Sequence, residues 1–199
     1  MKRVTALLLA AMMIITTGLI TPAMAAEDDV PETYSNAYVV MDAKTGQVLL
    51  QKNMYEKEYP ASITKILTTA LGLTYAKPED RITVSQETVS DVWKWGETTR
   101  LALVPGEIIT LKDALYGAMV ESANDCANAI AQAVSGSLTD FAELMNQQVA
   151  ALGLSDTHFT NAHGLPDKDH YTTAYDMARI TRWAMTVPGF EEYFCATEY

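Results

Sequence analysis

The apolar run that begins at Ser62 constrains the fold more than any other segment of the chain. Apolar side chains recur in it at i, i+3, i+4, i+7 and i+8: Ile63, Ile66, Leu67, Ala70 and Leu71. That spacing places them on one face of a helix and predicts a helix packed in the core. Pro78 interrupts the pattern, so the helix is expected to end near Ala76.

The start of this helix carries a serine and a lysine that could react together. Ser62 and Lys65 are three positions apart and therefore lie on one helix face. Unpaired backbone N–H groups at the helix start favour negative charge that develops on the serine. A lysine can remove the hydroxyl proton when its amine is neutral, and burial favours the neutral amine. Because S-x-x-K is a common pattern, its meaning depends on other motifs.

The remaining pattern predicts one hairpin followed mostly by helices. Two β-rich runs, 37–41 and 47–50, flank a Gly-containing turn, and residues 81–105 are irregular. Helices are predicted from Thr110, with Asp113 completing a capping box, to residue 122, and then over 126–134, 139–153 and 173–187. The fold class is therefore α/β, of the α+β type. A lone hairpin needs further strands beside it, so the chain is expected to be part of a larger domain.

The N-terminus predicts an exported protein. Lys2 and Arg3 precede an uncharged, mostly apolar stretch over residues 4–20, and Ala23-Met24-Ala25 follows. This order is typical of a signal peptide over residues 1–25. A retained anchor or an internal helix is the alternative, but the apolar run is short for a membrane span. Residues 26–35 form a short acidic lead, and residues 36–199 are expected to be the N-terminal portion of a domain.

The net charge argues against two kinds of partner, and the cysteine content argues against a disulfide framework. Removing Lys2 and Arg3 from 14 basic residues leaves 12 against 25 acidic ones, a net charge of −13. This charge argues against nucleic acid and anionic lipid as partners. Cys126 and Cys195 do not make a disulfide framework, and Cys126 is expected to be a buried thiol.

The three histidines do not suggest a metal site. His158 and His163 are five positions apart on an apparent loop, and His170 stands apart from them. No cluster has metal-ligand spacing, so a bound metal is not expected.

A second polar motif stands at a predicted junction between helices. Ser122-Ala123-Asn124 supplies a hydroxyl and a carboxamide, the groups that an acyl-transfer site needs beside its nucleophile. The tripeptide alone could equally be an ordinary helix cap. The order and spacing of S-x-x-K and S-x-N together are far more selective.

Together these motifs resemble those of the penicillin-recognising serine enzymes. Within that group the chain is most similar to the serine D-alanyl-D-alanine carboxypeptidases of peptidase family S11, the low-molecular-mass penicillin-binding proteins. Residues 59–65 (YPASITK), 161–166 (NAHGLP) and 172–178 (TTAYDMA) resemble segments of that family. The resemblance extends from Ser35 to Tyr199. It implies the penicillin-binding-protein/β-lactamase-like transpeptidase fold, with a hairpin and a helical subdomain.

The resemblance implies a role for each residue of the two motifs. Ser62 would be the acyl-ester nucleophile, Lys65 the general base and Ser122 the proton shuttle, while Asn124 would bind substrate. The backbone N–H of Ser62 would supply half of an oxyanion hole. The substrates would be peptidoglycan stem peptides ending in D-Ala-D-Ala, with β-lactam antibiotics as inhibitors. No cofactor is implied.

The family's third motif, K-T-G, is expected downstream of S-x-N. The chain has Lys44-Thr45-Gly46, which precedes the nucleophile and is expected to be the hairpin turn. The functional K-T-G and the other sheet strands are therefore expected beyond Tyr199. A chain without them is expected to be inactive and poorly stable. Membrane association is expected only through such a further C-terminal region.

Other pairs of polar residues have simpler explanations. His163 and Asp176 could complete a Ser-His-Asp triad with Ser62, but the histidine is expected to order its loop and Asp176 to support a helix start. Glu143 with Asn146 resembles the deacylating region of class A β-lactamases, although a solvated helix face explains it.

Three tryptophans, Trp93, Trp95 and Trp183, could line a cleft but are expected to pack.

Two other functions remain as alternatives. One is a related penicillin-recognising activity, a serine β-lactamase or D,D-endopeptidase. Against the β-lactamase stands Ala123, where aspartate is usual. The other is a non-catalytic exported domain that binds peptidoglycan.

Overall fold

The computed structural model describes residues 33–199, in which a β-hairpin precedes a group of helices. The predicted signal peptide lies outside the described residues. The strands are β1 (Tyr38–Met41), β2 (Val48–Lys52), β3 (Arg81–Thr83) and β4 (Ile108–Thr110). The helices are α1 (Lys65–Tyr75), α2 (Gln86–Trp93), α3 (Leu111–Val120), α4 (Asn124–Ser135), α5 (Leu138–Ala151), α6 (Ala174–Ala184) and α7 (Phe190–Phe194). The mixed α+β class is confirmed.

The predicted hairpin is present, and its turn contains the early K-T-G tripeptide. β1 and β2 pair antiparallel, and β3 pairs with β4 in a second two-stranded sheet. Asp42 Oδ1 accepts hydrogen bonds from the backbone N–H and the hydroxyl of Thr45, at 2.6 and 2.7 Å. Gly46 has a φ of +78°, a conformation that glycine adopts without steric cost. Lys44-Thr45-Gly46 is therefore a turn, as predicted.

The central helix is confirmed, but it differs from the prediction at its start. Ser62 lies in a 3₁₀ turn, Ala61–Thr64, and the α-helix begins only at Lys65. Ile63 is 48% exposed, whereas Leu67 and Leu71 are fully buried. Ile63 therefore does not belong to the core face. The sequence pattern missed this because a 3₁₀ turn has three residues per turn and rotates Ile63 away from the core.

The polar side of α1 is buried against a loop. Thr64 and Thr68 are fully buried, and Thr68 Oγ1 donates to the Ala162 carbonyl at 2.6 Å. Buried hydroxyls need such partners, because a lost hydrogen bond in the interior is costly. The loop that follows α5 is thereby held along the same helix that carries Lys65.

Capping residues set the starts of the later helices. Thr110 and Asp113 form the predicted capping box, and Thr173 Oγ1 accepts from the Asp176 backbone N–H at 3.0 Å. The predicted start of α5, at residue 139, was late. The helix begins at Leu138, and Ser137 caps it by accepting from the Asp140 backbone N–H. The chain leaves α4 through Gly136 in the left-handed region, so the next cap falls at the serine directly after it.

Helix α2 was not predicted. Ser85 caps it by accepting from the Thr88 N–H, and its buried side consists of Thr88, Val89 and Val92. So short an apolar face gives little periodicity, which explains the omission. Within residues 33–199, no helix has the length and apolarity that crossing a membrane requires.

The tryptophans differ in their surroundings. Trp183 packs against the core, as expected. Trp93 and Trp95 are 48% and 43% exposed. For these two the expectation of packing was wrong, because both lie at the end of the short helix α2 and in the loop after it.

Candidate active site

Lys65 is a buried cation without a carboxylate partner among residues 33–199. Its residue is only 2% exposed, and none of the ion pairs in the described part of the chain includes it. Burial lowers the pKa of Lys65 to about 8, because the charged form loses hydration. Burial also raises the pKa of the Cys126 thiol well above its usual range, so the thiol is uncharged where Lys65 titrates. The lysine can therefore become a neutral amine near physiological pH.

Three oxygen atoms surround the Lys65 amine. Nζ lies 2.8 Å from Asn124 Oδ1, 2.9 Å from the His163 carbonyl oxygen and 3.3 Å from Ser62 Oγ. A neutral amine has two N–H donors and one lone pair. The two carbonyl-type oxygens can only accept, so they take the two donors. The lone pair is then left facing the Ser62 hydroxyl, which is the geometry of a base and its nucleophile.

The turn that carries Ser62 has an unusual backbone. Ala61 has a φ of +49°, in the left-handed region that is uncommon for a residue with a side chain. Ser62 stands in the first turn of the 3₁₀ segment, where backbone N–H groups have no intrahelical partner. Gly164, with a φ of +90°, lies against the Ala61 carbonyl so closely that a Cβ there would overlap it. The loop and the turn that carries Ser62 are therefore in direct backbone contact.

The S-x-N motif lies at the junction of α3 and α4, as predicted. Ser122 is half-buried and has a φ of +55°, while Asn124 is the first residue of α4 and is buried. The structure brings Asn124 to Lys65. No described residue makes a hydrogen bond with the Ser122 hydroxyl or with Asn124 Nδ2. The roles of shuttle and of substrate ligand remain predictions.

Two acidic residues near the site were missed by the sequence interpretation. Asp91 Oδ2 lies 3.1 Å from His163 Nε2 and 3.0 Å from Asn128 Nδ2. Asp125 is fully buried and accepts from the backbone N–H groups of Leu101 and Leu103, at 3.1 and 3.0 Å. Asp91 lies on the unpredicted helix α2, and no spacing rule connects it to His163. Asp125 directly follows the S-x-N motif, which was the available signal.

The Ser-His-Asp triad is not assembled. Asp176 Oδ2 accepts from the Thr157 hydroxyl at 2.7 Å, and its backbone joins the Thr173 cap, so it supports a helix start as expected. His163 binds Asp91 instead.

Glu143 and Asn146 are explained by the fold rather than by catalysis. Glu143 is exposed, and Asn146 binds the backbone of Phe159.

Cys126 is a buried free thiol, as predicted, and Cys195 is exposed. Within residues 33–199, no group of three or more His, Cys, Asp or Glu side chains could hold a metal ion.

A second histidine, His170, supports the turn that carries Ser62. His170 Nδ1 accepts from the Thr160 backbone N–H at 3.0 Å, so Nε2 carries the proton and donates to Thr64 Oγ1 at 3.0 Å. Burial lowers the pKa of His170 to about 4. Protonation would place an N–H on Nδ1, where it would face the Thr160 backbone N–H and break that hydrogen bond. The neutral ring is thus part of the folded site.

Acidification is expected to destabilise the protein through this ring. The unfolded pKa is near 6.5, so between pH 6.5 and about 4 the unfolded chain binds more protons. The free energy of unfolding should therefore fall as the pH falls, by at most about 1.4 kcal/mol per pH unit from this group. Urea unfolding between pH 7 and 4.5 measures the slope. His170→Gln should flatten it, whereas His158→Gln, at a less buried histidine, should not. Equal slopes for His170→Gln and the unaltered protein would contradict this role.

Comparison with known proteins agrees with the site. The family model for D-alanyl-D-alanine carboxypeptidase, peptidase family S11, matches residues 23–199. D-alanyl-D-alanine carboxypeptidase DacF of Bacillus subtilis is 36% identical over 192 residues, which cover 92% of this chain and 47% of DacF. DacC of Escherichia coli, also a D-alanyl-D-alanine carboxypeptidase, is 36% identical over 170 residues, covering 79% of this chain and 42% of DacC.

Solved structures give the same result for the fold. Penicillin-binding protein 6B from Escherichia coli superposes with a TM-score of 0.80 at 29% identity, over 88% of this chain and 56% of that one. The predicted penicillin-binding-protein fold is confirmed. The chain spans about half the length of the curated relatives that it matches. Its family match, its fold and its serine–lysine site together place this chain in the D-alanyl-D-alanine carboxypeptidase family, peptidase family S11.

Proposed function

We propose that the protein is a serine D-alanyl-D-alanine carboxypeptidase that removes the terminal D-Ala from peptidoglycan stem peptides. The observation that carries this proposal is the set of contacts at Lys65. Two acceptors, Asn124 Oδ1 and the His163 carbonyl, hold its N–H groups and leave its lone pair toward Ser62 Oγ. A serine with such a base can attack a carbonyl group without any histidine.

The reaction follows from this geometry in two stages. Lys65 takes the proton of Ser62 while Oγ attacks the carbonyl carbon between the two D-alanines. The C–N bond then breaks, the proton held by Lys65 passes by way of Ser122 to the departing amine, and an acyl ester remains on Ser62. Water hydrolyses the ester and restores the hydroxyl. The backbone N–H of Ser62 can stabilise the oxyanion, since no intrahelical acceptor occupies it.

Substrate binding is assigned to Asn124, which contacts Lys65 in the same cluster. The carboxamide of Asn124 directs its oxygen to Lys65, so its Nδ2 is left to donate to a peptide carbonyl of the substrate. β-Lactam antibiotics, which contain a reactive amide, would acylate Ser62 by the same route. The stem peptide and the β-lactams are thus the proposed ligands.

A fluorescent penicillin tests the proposal directly. The protein, expressed from its whole gene, is incubated with the probe and digested, and the labelled peptide is sequenced by mass spectrometry. We expect the adduct on Ser62, together with release of D-Ala from an N-acylated L-Lys-D-Ala-D-Ala peptide. Labelling with rapid penicillin hydrolysis and no D-Ala release would indicate a β-lactamase. Absence of both reactions would leave the non-catalytic binding domain as the function.

We also propose that the protein acts outside the cytoplasm. The support is the basic and apolar order of residues 2–20 and the Ala23-Met24-Ala25 ending, typical of a cleaved signal peptide. Mass spectrometry of the protein from its host envelope should give an N-terminus at Ala26. Recovery of the protein from the cytoplasmic fraction with Met1 intact would overturn this localisation.

A further inference from the structure

The two acceptors that orient Lys65 lie on different parts of the chain. The His163 carbonyl belongs to the loop between α5 and α6, whereas Asn124 begins helix α4. A base that must deliver its lone pair to one hydroxyl needs both acceptors at fixed positions. Some group must therefore hold the loop and helix α4 at fixed positions relative to each other.

Asp91 makes this connection through a single oxygen atom. Its Oδ2 accepts from His163 Nε2 at 3.1 Å and from Asn128 Nδ2 at 3.0 Å. Asn128 stands four residues after Asn124, on the same face of α4. Thus one carboxylate oxygen binds the residue that supplies one Lys65 acceptor and the helix that supplies the other.

The His163 ring is fixed at both of its nitrogens. Nδ1 accepts from the Leu165 backbone N–H at 3.0 Å, so the proton of the neutral ring is on Nε2 and points to Asp91. The residue is 2% exposed, and burial lowers the pKa of His163. The hydrogen bond from His163 in turn holds the pKa of Asp91 far below its usual range. The Lys94 ammonium group donates to the second carboxylate oxygen of Asp91 at 2.6 Å.

We infer that Asp91 is a positioning residue for the base: by holding the His163 ring and Asn128 together, it keeps both acceptors of Lys65 in place. The inference rests on the proposed function, in which Lys65 activates Ser62. Without the carboxylate, the buried Nε2–H loses its acceptor and the ring is held only through Nδ1, by the Leu165 N–H. The His163 carbonyl then no longer fixes the amine, and the lone pair is misdirected.

Two variants at Asp91 and one control test the inference. Asp91→Ala removes the acceptor, while Asp91→Asn keeps an oxygen for His163 and Asn128. Glu87→Gln removes one negative charge from the exposed side of the same helix and is the matched control. We expect Asp91→Ala to lower the plateau rate of Ser62 acylation by fluorescent penicillin about 10- to 100-fold, as displacement of a reacting group by an ångström does. Rates are expressed per folded molecule, from active-site titration and thermal unfolding.

Rescue distinguishes positioning from mere stability. We expect Asp91→Asn to restore most of the rate and Glu87→Gln to match the unaltered protein, whatever their unfolding temperatures. An Asp91→Ala protein that unfolds more easily but acylates at the normal rate per folded molecule would overturn the inference.

Side-chain NMR gives a readout that needs no catalysis. In the unaltered protein, ¹⁵N shifts should show His163 protonated at Nε2 and not at Nδ1, and the Lys65 ¹³Cε–¹⁵Nζ signal should be sharp. Asp91→Ala should broaden the lysine signal. A proton on Nδ1 would overturn the inference even if Asp91→Ala failed to fold. Absence of acylation in the unaltered protein would count against the proposed function, and the lysine signal would still decide the role of Asp91.

Discussion

Replacing Lys65 with arginine is expected to lower the rate at which penicillin acylates Ser62 by about 10³-fold or more. A general base contributes about 10² to 10⁴ in rate, and a guanidinium does not give up its proton in this pH range. Arginine keeps the positive charge and the N–H donors that face Asn124 and His163. The variant therefore tests the lone pair rather than the charge. Stopped-flow or gel-based labelling with fluorescent penicillin measures the rate, and Ser62→Ala provides the blank.

The pH dependence of the acylation rate is a second test of Lys65 as the general base. Lys65 must be neutral to act as the base, and its pKa is lowered to about 8 by burial. Acylation by the unaltered protein should therefore rise with pH, with a midpoint near 8, and level off above it. The residual rate of Lys65→Arg should not follow this curve. A midpoint that persists in Lys65→Arg would show that another group is the base.

Much of this site could be predicted from local sequence because its parts are local. Ser62 and Lys65 are one turn apart on a chain segment with clear apolar periodicity, and Ser122 and Asn124 flank a helix junction. Helix geometry and capping preferences determine such arrangements over a few residues. In the structure Lys65 Nζ lies 3.3 Å from Ser62 Oγ and 2.8 Å from Asn124 Oδ1. The role of each group in turnover remains a prediction.

What could not be predicted are contacts between segments far apart in the chain. Asp91 and His163 are joined by a hydrogen bond across 72 positions, and Lys65 and the His163 carbonyl across 98. No periodicity encodes such contacts, and the short helix that carries Asp91 has too few apolar residues to be recognised. The same holds for backbone conformation. The positive φ of Ala61 and Ser122 arises from the tertiary structure, since alanine and serine do not favour that region.

Gly164→Ala is expected to have the second-largest effect, because the turn that carries Ser62 and the 161–165 loop meet there backbone to backbone. A Cβ on residue 164 would overlap the Ala61 carbonyl and approach Thr64 Oγ1 to 2.9 Å. The carbonyl belongs to the main chain directly before Ser62, so it cannot turn aside as a flexible side chain would. Either the turn or the loop must move by about an ångström, and a displacement of that size costs about 10²-fold in rate.

The effect of backbone strain at a positive φ must be distinguished from the effect of the steric overlap. Gly164 has a φ of +90°, where any residue with a Cβ is disfavoured by about 1–2 kcal/mol. Gly153→Ala is the matched control, since Gly153 has a φ of +69° and open space around the position of a Cβ. Both variants should lower the unfolding temperature. Only Gly164→Ala should also slow acylation of Ser62 per folded molecule, measured with fluorescent penicillin. Because His163 precedes Gly164, the shift should also broaden the Lys65 NMR signal. Normal acylation by a folded Gly164→Ala protein would mean that the 161–165 loop can move without disturbing the base, and that Asn124 alone is enough to orient it.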